Sequence, residues 1–159
     1  VALLVAGGQD VTLRVVGQGA ELEPLRALAS ELGVADRVEL VGHVARHADV
    51  LRMVAESEVF VSASEIEGFG IVVAEAMGLG VPAVVSDIDV FREVTENGRG
   101  AALFRTGDAA DLAAKVSTLL TDPAARAEQV RTATQVGSRY RWDEIADATI
   151  AVLEETYRS

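Results

Sequence analysis

The sequence predicts an α/β fold, a parallel sheet with helices on both faces. Two observations carry that reading. Short β-branched runs alternate along the chain with longer segments whose apolar residues recur at helical spacing. The punctuation between them is glycine, Pro82 and the pair Asn97-Gly98, with no stretch that reads as an internal linker or repeat. At 159 residues, half of them hydrophobic, the chain suits one domain with a sound core.

The elements follow in order. Residues 1–6 form the end of a helix closed by Gly7-Gly8, and residues 11–16 a strand ended by Gly17-Gln18-Gly19. Residues 21–32 are helical: Leu22, Leu25, Leu28, Ala29 and Leu32 share one stripe, Pro24 sits in the tolerant first turn, and Gly33 stops the helix. Residues 37–41 make a strand ended by Gly42. Residues 47–55 make a helix with Val50, Leu51 and Val54 inward, and residues 59–61 a short strand. A helix over residues 70–79 leads past Pro82 into the strand 83–85. A short helix spans 90–95, and the strand 101–104 comes after a turn at Asn97-Gly98. Three helices close the chain. Asp108 caps the first (109–120), and Pro123 stands at the first position of the second. The third (142–157) carries Trp142, Ile145, Thr149, Leu153 and Tyr157 on one stripe. The expectation is a five-stranded Rossmann-like sheet, and the leading helix implies one more strand upstream of Val1.

Charge and composition exclude several function classes. The net charge is −11, the wrong sign for a nucleic-acid surface, and aromatic residues are only 4%, too few for base-stacking platforms. The absence of cysteine removes thiolate metal sites and disulfides and fits a reducing, cytoplasmic setting. The longest apolar stretch, residues 70–86, is broken by Glu75, Gly78, Gly80 and Pro82, short of the roughly 18 residues that span a bilayer.

The most informative run is Glu67-Gly68-Phe69-Gly70-Ile71-Val72-Val73-Ala74-Glu75-Ala76-Met77. A carboxylate opens it, a glycine-flanked turn follows, and Glu75 is embedded in an apolar helix start. An ionised Glu buried among Ile71, Val72, Val73, Ala74 and Met77 costs several kcal/mol unless something pairs with it. Hydroxyl donors on a ligand would supply that pairing. The Gly68-Phe69-Gly70 turn lets backbone N–H groups come close to a ligand, and a helix N-terminus attracts anions. Hydroxyls plus phosphate describe a nucleotide sugar. The plainer alternative is a capping carboxylate and a tolerated, half-buried Glu.

From Ser62 to Asp87 the chain resembles the signature of retaining glycosyltransferases of the GT-B type, the group 1 family. Their hallmark is two glutamates separated by seven residues, as Glu67 and Glu75 are. Val15-Val16-Gly17-Gln18-Gly19 and Asp36-Arg37-Val38-Glu39-Leu40-Val41-Gly42 resemble the family's upstream strands. Arg92-Glu93-Val94, Asn97-Gly98 and Tyr140-Arg141-Trp142 resemble its downstream segments. The resemblance implies the C-terminal, donor-binding half of a GT-B fold, lacking its first strand, with no cofactor and no metal. It implies Glu67 on the transferred sugar as the catalytic position, and the amides around Gly68, Phe69, Gly70 and Ile71 on sugar and diphosphate. Glu75 would bind the ribose hydroxyls, His43 and Val44 would lie against the base, and Gly17 and Gly19 would let the first loop pass the ligand.

The family also places an Arg and a Lys after its first strand, to neutralise the leaving diphosphate. Those positions would fall before Val1, as would the acceptor-binding domain. The expectation is therefore a domain truncated at its N-terminal edge and inactive alone. Its partners would be a nucleotide-sugar donor and the N-terminal domain of the same chain, with room for peripheral membrane association of the full enzyme. The loop 86–93 departs from the family, which often has Pro or Gly where Asp89 and Val90 stand.

Other motifs carry less. Gly17-Gln18-Gly19 lacks the third glycine of a dinucleotide fingerprint, since position 22 is Leu22. His43 and His47 are four apart, a metal-compatible spacing on a helix, but no third ligand is evident and His43 falls in a loop. Two rival functions stay open: an epimerase or phosphorylase on the same architecture, and a non-catalytic nucleotide-binding module.

Overall fold

A computed structural model describes residues 1–158. The side chains of Trp142 and Arg158 lie outside the described residues, and with them the Trp142 end of the predicted C-terminal stripe. The elements run α1 (Ala2–Ala6), β1 (Leu13–Val16), α2 (Leu22–Glu31), β2 (Val38–Gly42), α3 (His47–Ala55), β3 (Phe60–Ser62), α4 (Ile71–Gly78), β4 (Ala83–Ser86), α5 (Asp89–Val94), β5 (Ala102–Phe104), α6 (Ala109–Thr121), α7 (Pro123–Gly137) and α8 (Trp142–Arg158). A 3₁₀ turn precedes β2 at Ala35–Arg37 and another joins α7 to α8 at Ser138–Tyr140.

All strand pairs are parallel, and β4 shows why helices must cover both faces. Its four residues are all buried. Side chains alternate across a strand, so Ala83 and Val85 face one way and Val84 the other. Ala83 and Val85 join Val73 and Met77 of α4, Phe91 and Val94 of α5, and Ala133 and Val136 of α7. Val84 joins Phe104, Val116 and Leu119, with Leu4 of α1 packed beside them. The register keeps the two layers in step: Phe60 pairs with Ala83, Val61 with Val84, and Val84 with Ala102.

The expected continuous five-stranded sheet is not formed. The strands make two sheets, β1-β2 and β3-β4-β5. Among the described residues β1, β2, β3 and β5 each have a strand neighbour on one side only, and β4 alone has two. Apolar residues of the two-stranded sheet and of α2 stay uncovered: Leu13 and Val16 of β1, and Leu25, Leu28 and Leu32 of the predicted α2 stripe, where only Ala29 is buried. The stripe has the right period, but the chain brings too little to cover it.

The helix starts follow local chemistry. Asp108 caps α6 by accepting from the Ala110 and Asp111 amides, and Asp122 caps α7 by accepting from Ala124 and Ala125. The approach of α7 to α4 is set by Gly137: a Cβ there would stand 2.8 Å from the Gly78 nitrogen and 2.9 Å from the Met77 carbonyl carbon. At the predicted turn, Asn97 and Gly98 adopt φ of 56° and 87°, and buried Thr95 braces it by donating to the Phe91 carbonyl and accepting from the Gly98 amide.

Candidate functional site around the start of helix α4

The sequence-predicted site residues lie in loops that follow the carboxyl ends of strands, the edge where open α/β sheets take their ligands, except Ile71 and Glu75, which lie in α4. Gly17 and Gly19 follow β1, His43 and Val44 follow β2, and Glu67, Gly68, Phe69 and Gly70 lie between β3 and α4. The first two loops touch: the Gly17 amide donates to the Gly42 carbonyl at 2.9 Å, next to a register shift between Val15 and Val16 that bends the end of β1.

Gly70 begins α4 in a left-handed conformation, φ 79°. A Cβ there would meet Phe91 Cε1 at 2.8 Å and Cδ1 at 3.1 Å, and Phe91 is wholly buried. Glycine is required at this point on both counts. It also leaves the helix without a capping side chain. The Val73 and Ala74 amides bond back to the Gly70 carbonyl. The amides at the very start of the helix are left to point outward, where an anion fits.

Phe69 is held from behind. Its ring meets Tyr140 edge-to-face, with centroids 5.7 Å apart at 81°. Tyr140 in turn donates its hydroxyl to the Val94 carbonyl, and burial pushes its pKa up. Tyr140 was visible in the sequence as part of Tyr140-Arg141-Trp142, but nothing in the spacing tied it to Phe69.

Glu67 lies half-buried beside Gly70, in a groove of about 380 Å³ lined by Glu65, Ile66, Glu67, Ile88, Asp89 and Val90. Asp89 and Val90, the positions that depart from the family pattern and here the first two residues of α5, are therefore part of this wall. Next to it, Asp87 takes a two-pronged contact from Arg92 at 2.6 and 2.8 Å, which holds its carboxyl below the usual range.

Glu75 corrects the expectation of an apolar burial. Its side chain keeps 24% exposure, and Ile71 and Val72, one turn earlier on the same face, are exposed as well. Val73, Ala74, Ala76 and Met77 carry the buried face of α4. The Glu75 carboxylate also has a protein partner: His47 Nε2 lies 2.7 Å from Oε1. Sequence spacing could not have found that pair, which joins two helices 28 positions apart. No cluster of three His, Cys, Asp or Glu that could hold a metal ion occurs among the described residues. No helix among them is long and apolar enough to cross a membrane.

Comparison with known proteins places the chain in a family. The family model "Glycosyl transferases group 1" matches residues 1–136. A phosphatidyl-myo-inositol mannosyltransferase of Mycobacterium leprae is 34% identical over 145 residues, 91% of this chain and 38% of that protein. Among solved structures, a sucrose-phosphate synthase of Thermosynechococcus elongatus superposes with a TM-score of 0.83 at 25% identity, covering 99% of this chain and 42% of its own. Anabaena HepE in complex with UDP superposes with a TM-score of 0.81 at 26% identity, covering 98% and 44%. The chain thus spans about two fifths of the length of these relatives. Its fold is that of one half of a GT-B glycosyltransferase, and the chain belongs to the group 1 glycosyl transferases.

Proposed function

We propose that this chain is the nucleotide-sugar-binding, C-terminal half of a retaining hexosyltransferase that works without a bound metal. The observation that carries the reading is the start of α4, an uncapped helix N-terminus at the carboxyl edge of the sheet, with Glu67 before it and Glu75 one turn in. The structural neighbour HepE was solved in complex with UDP, which supports a nucleoside diphosphate as the occupant.

In this reading the diphosphate rests on the amides of Phe69, Gly70 and Ile71, with Gly68 giving the turn its clearance. Glu75 accepts hydrogen bonds from the ribose, His43 and Val44 border the base, and Gly17 and Gly19 let the β1 loop run past the ligand. Glu67 faces the transferred sugar, in the groove it shares with Glu65 and Asp89. Oriented dipoles and cations stabilise the departing diphosphate in place of a divalent ion. Those cations follow the first strand of this same donor-binding domain, and the acceptor site belongs to a preceding N-terminal domain. A strand from the upstream region joins the two sheets and covers the exposed leucines of α2. The full enzyme is cytoplasmic and closes its two domains around the donor, with any membrane contact peripheral.

The chain alone then binds nucleotide but does not turn over. Titration with UDP, GDP and ADP tests the binding. Glu75→Gln should weaken the tightest of them roughly ten- to a hundredfold, the worth of a charged hydrogen bond at about 1.5–3 kcal/mol. Incubation with UDP-, GDP- and ADP-sugars and candidate acceptors tests the turnover, and glycosyl transfer above hydrolysis would defeat the fragment reading.

A further inference from the structure

We propose that His47 is a positioning residue for nucleotide binding: it holds the Glu75 carboxylate by Oε1 so that Oε2 faces the ribose hydroxyls. This rests on the reading of Glu75 as the ribose acceptor. The geometry is specific. His47 is the first residue of α3, α3 packs on α4, and Nε2 stands 2.7 Å from Oε1.

A glutamate has three side-chain torsions to fix before it can accept from a ligand, and on α4 the residues one turn before it, Ile71 and Val72, offer no hydrogen-bonding side chain. His47 supplies the missing restraint from a neighbouring helix. An Nε2–H donates to the carboxylate in the charged ring and in one neutral tautomer, so the restraint needs no particular charge on the ring. A carboxylate carries about four acceptor sites, so one bond from His47 leaves room for ribose hydroxyls. His47 itself is 62% exposed and contributes no core packing, so the contact serves Glu75 more than the fold.

The test compares the tightest binder among UDP, GDP and ADP with its 2′,3′-dideoxy counterpart, on the wild-type protein and on His47→Leu, His47→Gln and Glu75→Gln. A lost net hydrogen bond predicts that His47→Leu weakens the ribonucleotide about three- to tenfold while the dideoxy affinity stays within about twofold. His47→Gln, whose amide N–H reaches about as far as Nε2, restores most of the loss. Equal weakening of both nucleotides, tighter binding by His47→Leu, or a Gln variant as weak as Leu would each overturn the positioning role. Glu75→Gln separates the two claims. If it abolishes the preference for ribose while His47→Leu leaves that preference intact, only the positioning role fails. If Glu75→Gln leaves the preference unchanged, or no nucleotide binds, the ribose reading itself fails.

Discussion

His47 Nε2 and Glu75 Oε1 lie 2.7 Å apart, a contact that ties the first residue of α3 to the exposed face of α4. The pair is open to solvent, with side-chain exposures of 62% and 24%. Surface pairs of this kind are worth at most about 1 kcal/mol. Glu75→Gln should therefore move the melting temperature by no more than about 4 °C in a domain of this size, while weakening nucleotide binding as above. Thermal melts and titrations on the two proteins check both halves. A variant that melts far lower yet binds as before would assign Glu75 a purely structural part.

Gly70→Ala should destabilise the domain by about 2–4 kcal/mol, from the left-handed backbone and the collision with buried Phe91 together. Gly68→Ala is the control, since a Cβ at Gly68 meets nothing within 4 Å. Denaturant titration of both variants checks the contrast. Equal stability of the two would contradict the packing described around the start of α4.

Tyr140→Ala removes the edge-to-face support of Phe69 and apolar contact with the core, and should cost about 2–3 kcal/mol. Tyr140→Phe removes only the hydroxyl bond to the Val94 carbonyl and should cost about 1 kcal/mol. If the two variants lose the same stability, the ring contact contributes nothing.

Acid should unfold the domain in a defined window. Glu96 accepts hydrogen bonds from Arg139 and Arg99, which hold its carboxyl below the ordinary 4.5, and Arg92 holds Asp87 below its ordinary 3.8. A carboxylate depressed by folding contributes stability in full above its unfolded value and loses it as pH falls through the folded one. The melting temperature should be flat from pH 7 to about 5 and fall below about 4. Arg139→Gln should flatten that fall, and an unchanged acid limb would contradict the role given to Glu96.

The parts of the fold that were legible in the sequence are those that local chemistry decides. The α3 bounds, the Asp108 cap, Pro123 at the start of α7 and the Asn97-Gly98 turn stand where the pattern puts them. What covers a surface was not legible. The α2 stripe has helical spacing, yet Leu25, Leu28 and Leu32 are exposed because a neighbouring layer is needed to bury them. Glu75 read as buried because its neighbours in sequence are apolar. On the helix it shares a face with Ile71 and Val72, which nothing covers, and its partner His47 comes from another helix. The split into two sheets is likewise a matter of pairing, which no strand encodes by itself. For the site, the residues gathered at the carboxyl edge were legible as a motif, while the supports behind them, Phe91 and Tyr140, were not.

The central claim is that a nucleoside diphosphate sits on the start of α4. An amide-resolved NMR titration with UDP, GDP and ADP, in EDTA, tests it most directly. For at least one nucleotide the account predicts saturable shifts confined to the amides of Gly17, Gly19, His43, Val44 and Phe69 to Glu75, undiminished by the chelator. Shifts centred elsewhere, shifts that require Mg²⁺ or Mn²⁺, or none at millimolar nucleotide on the folded protein would contradict it.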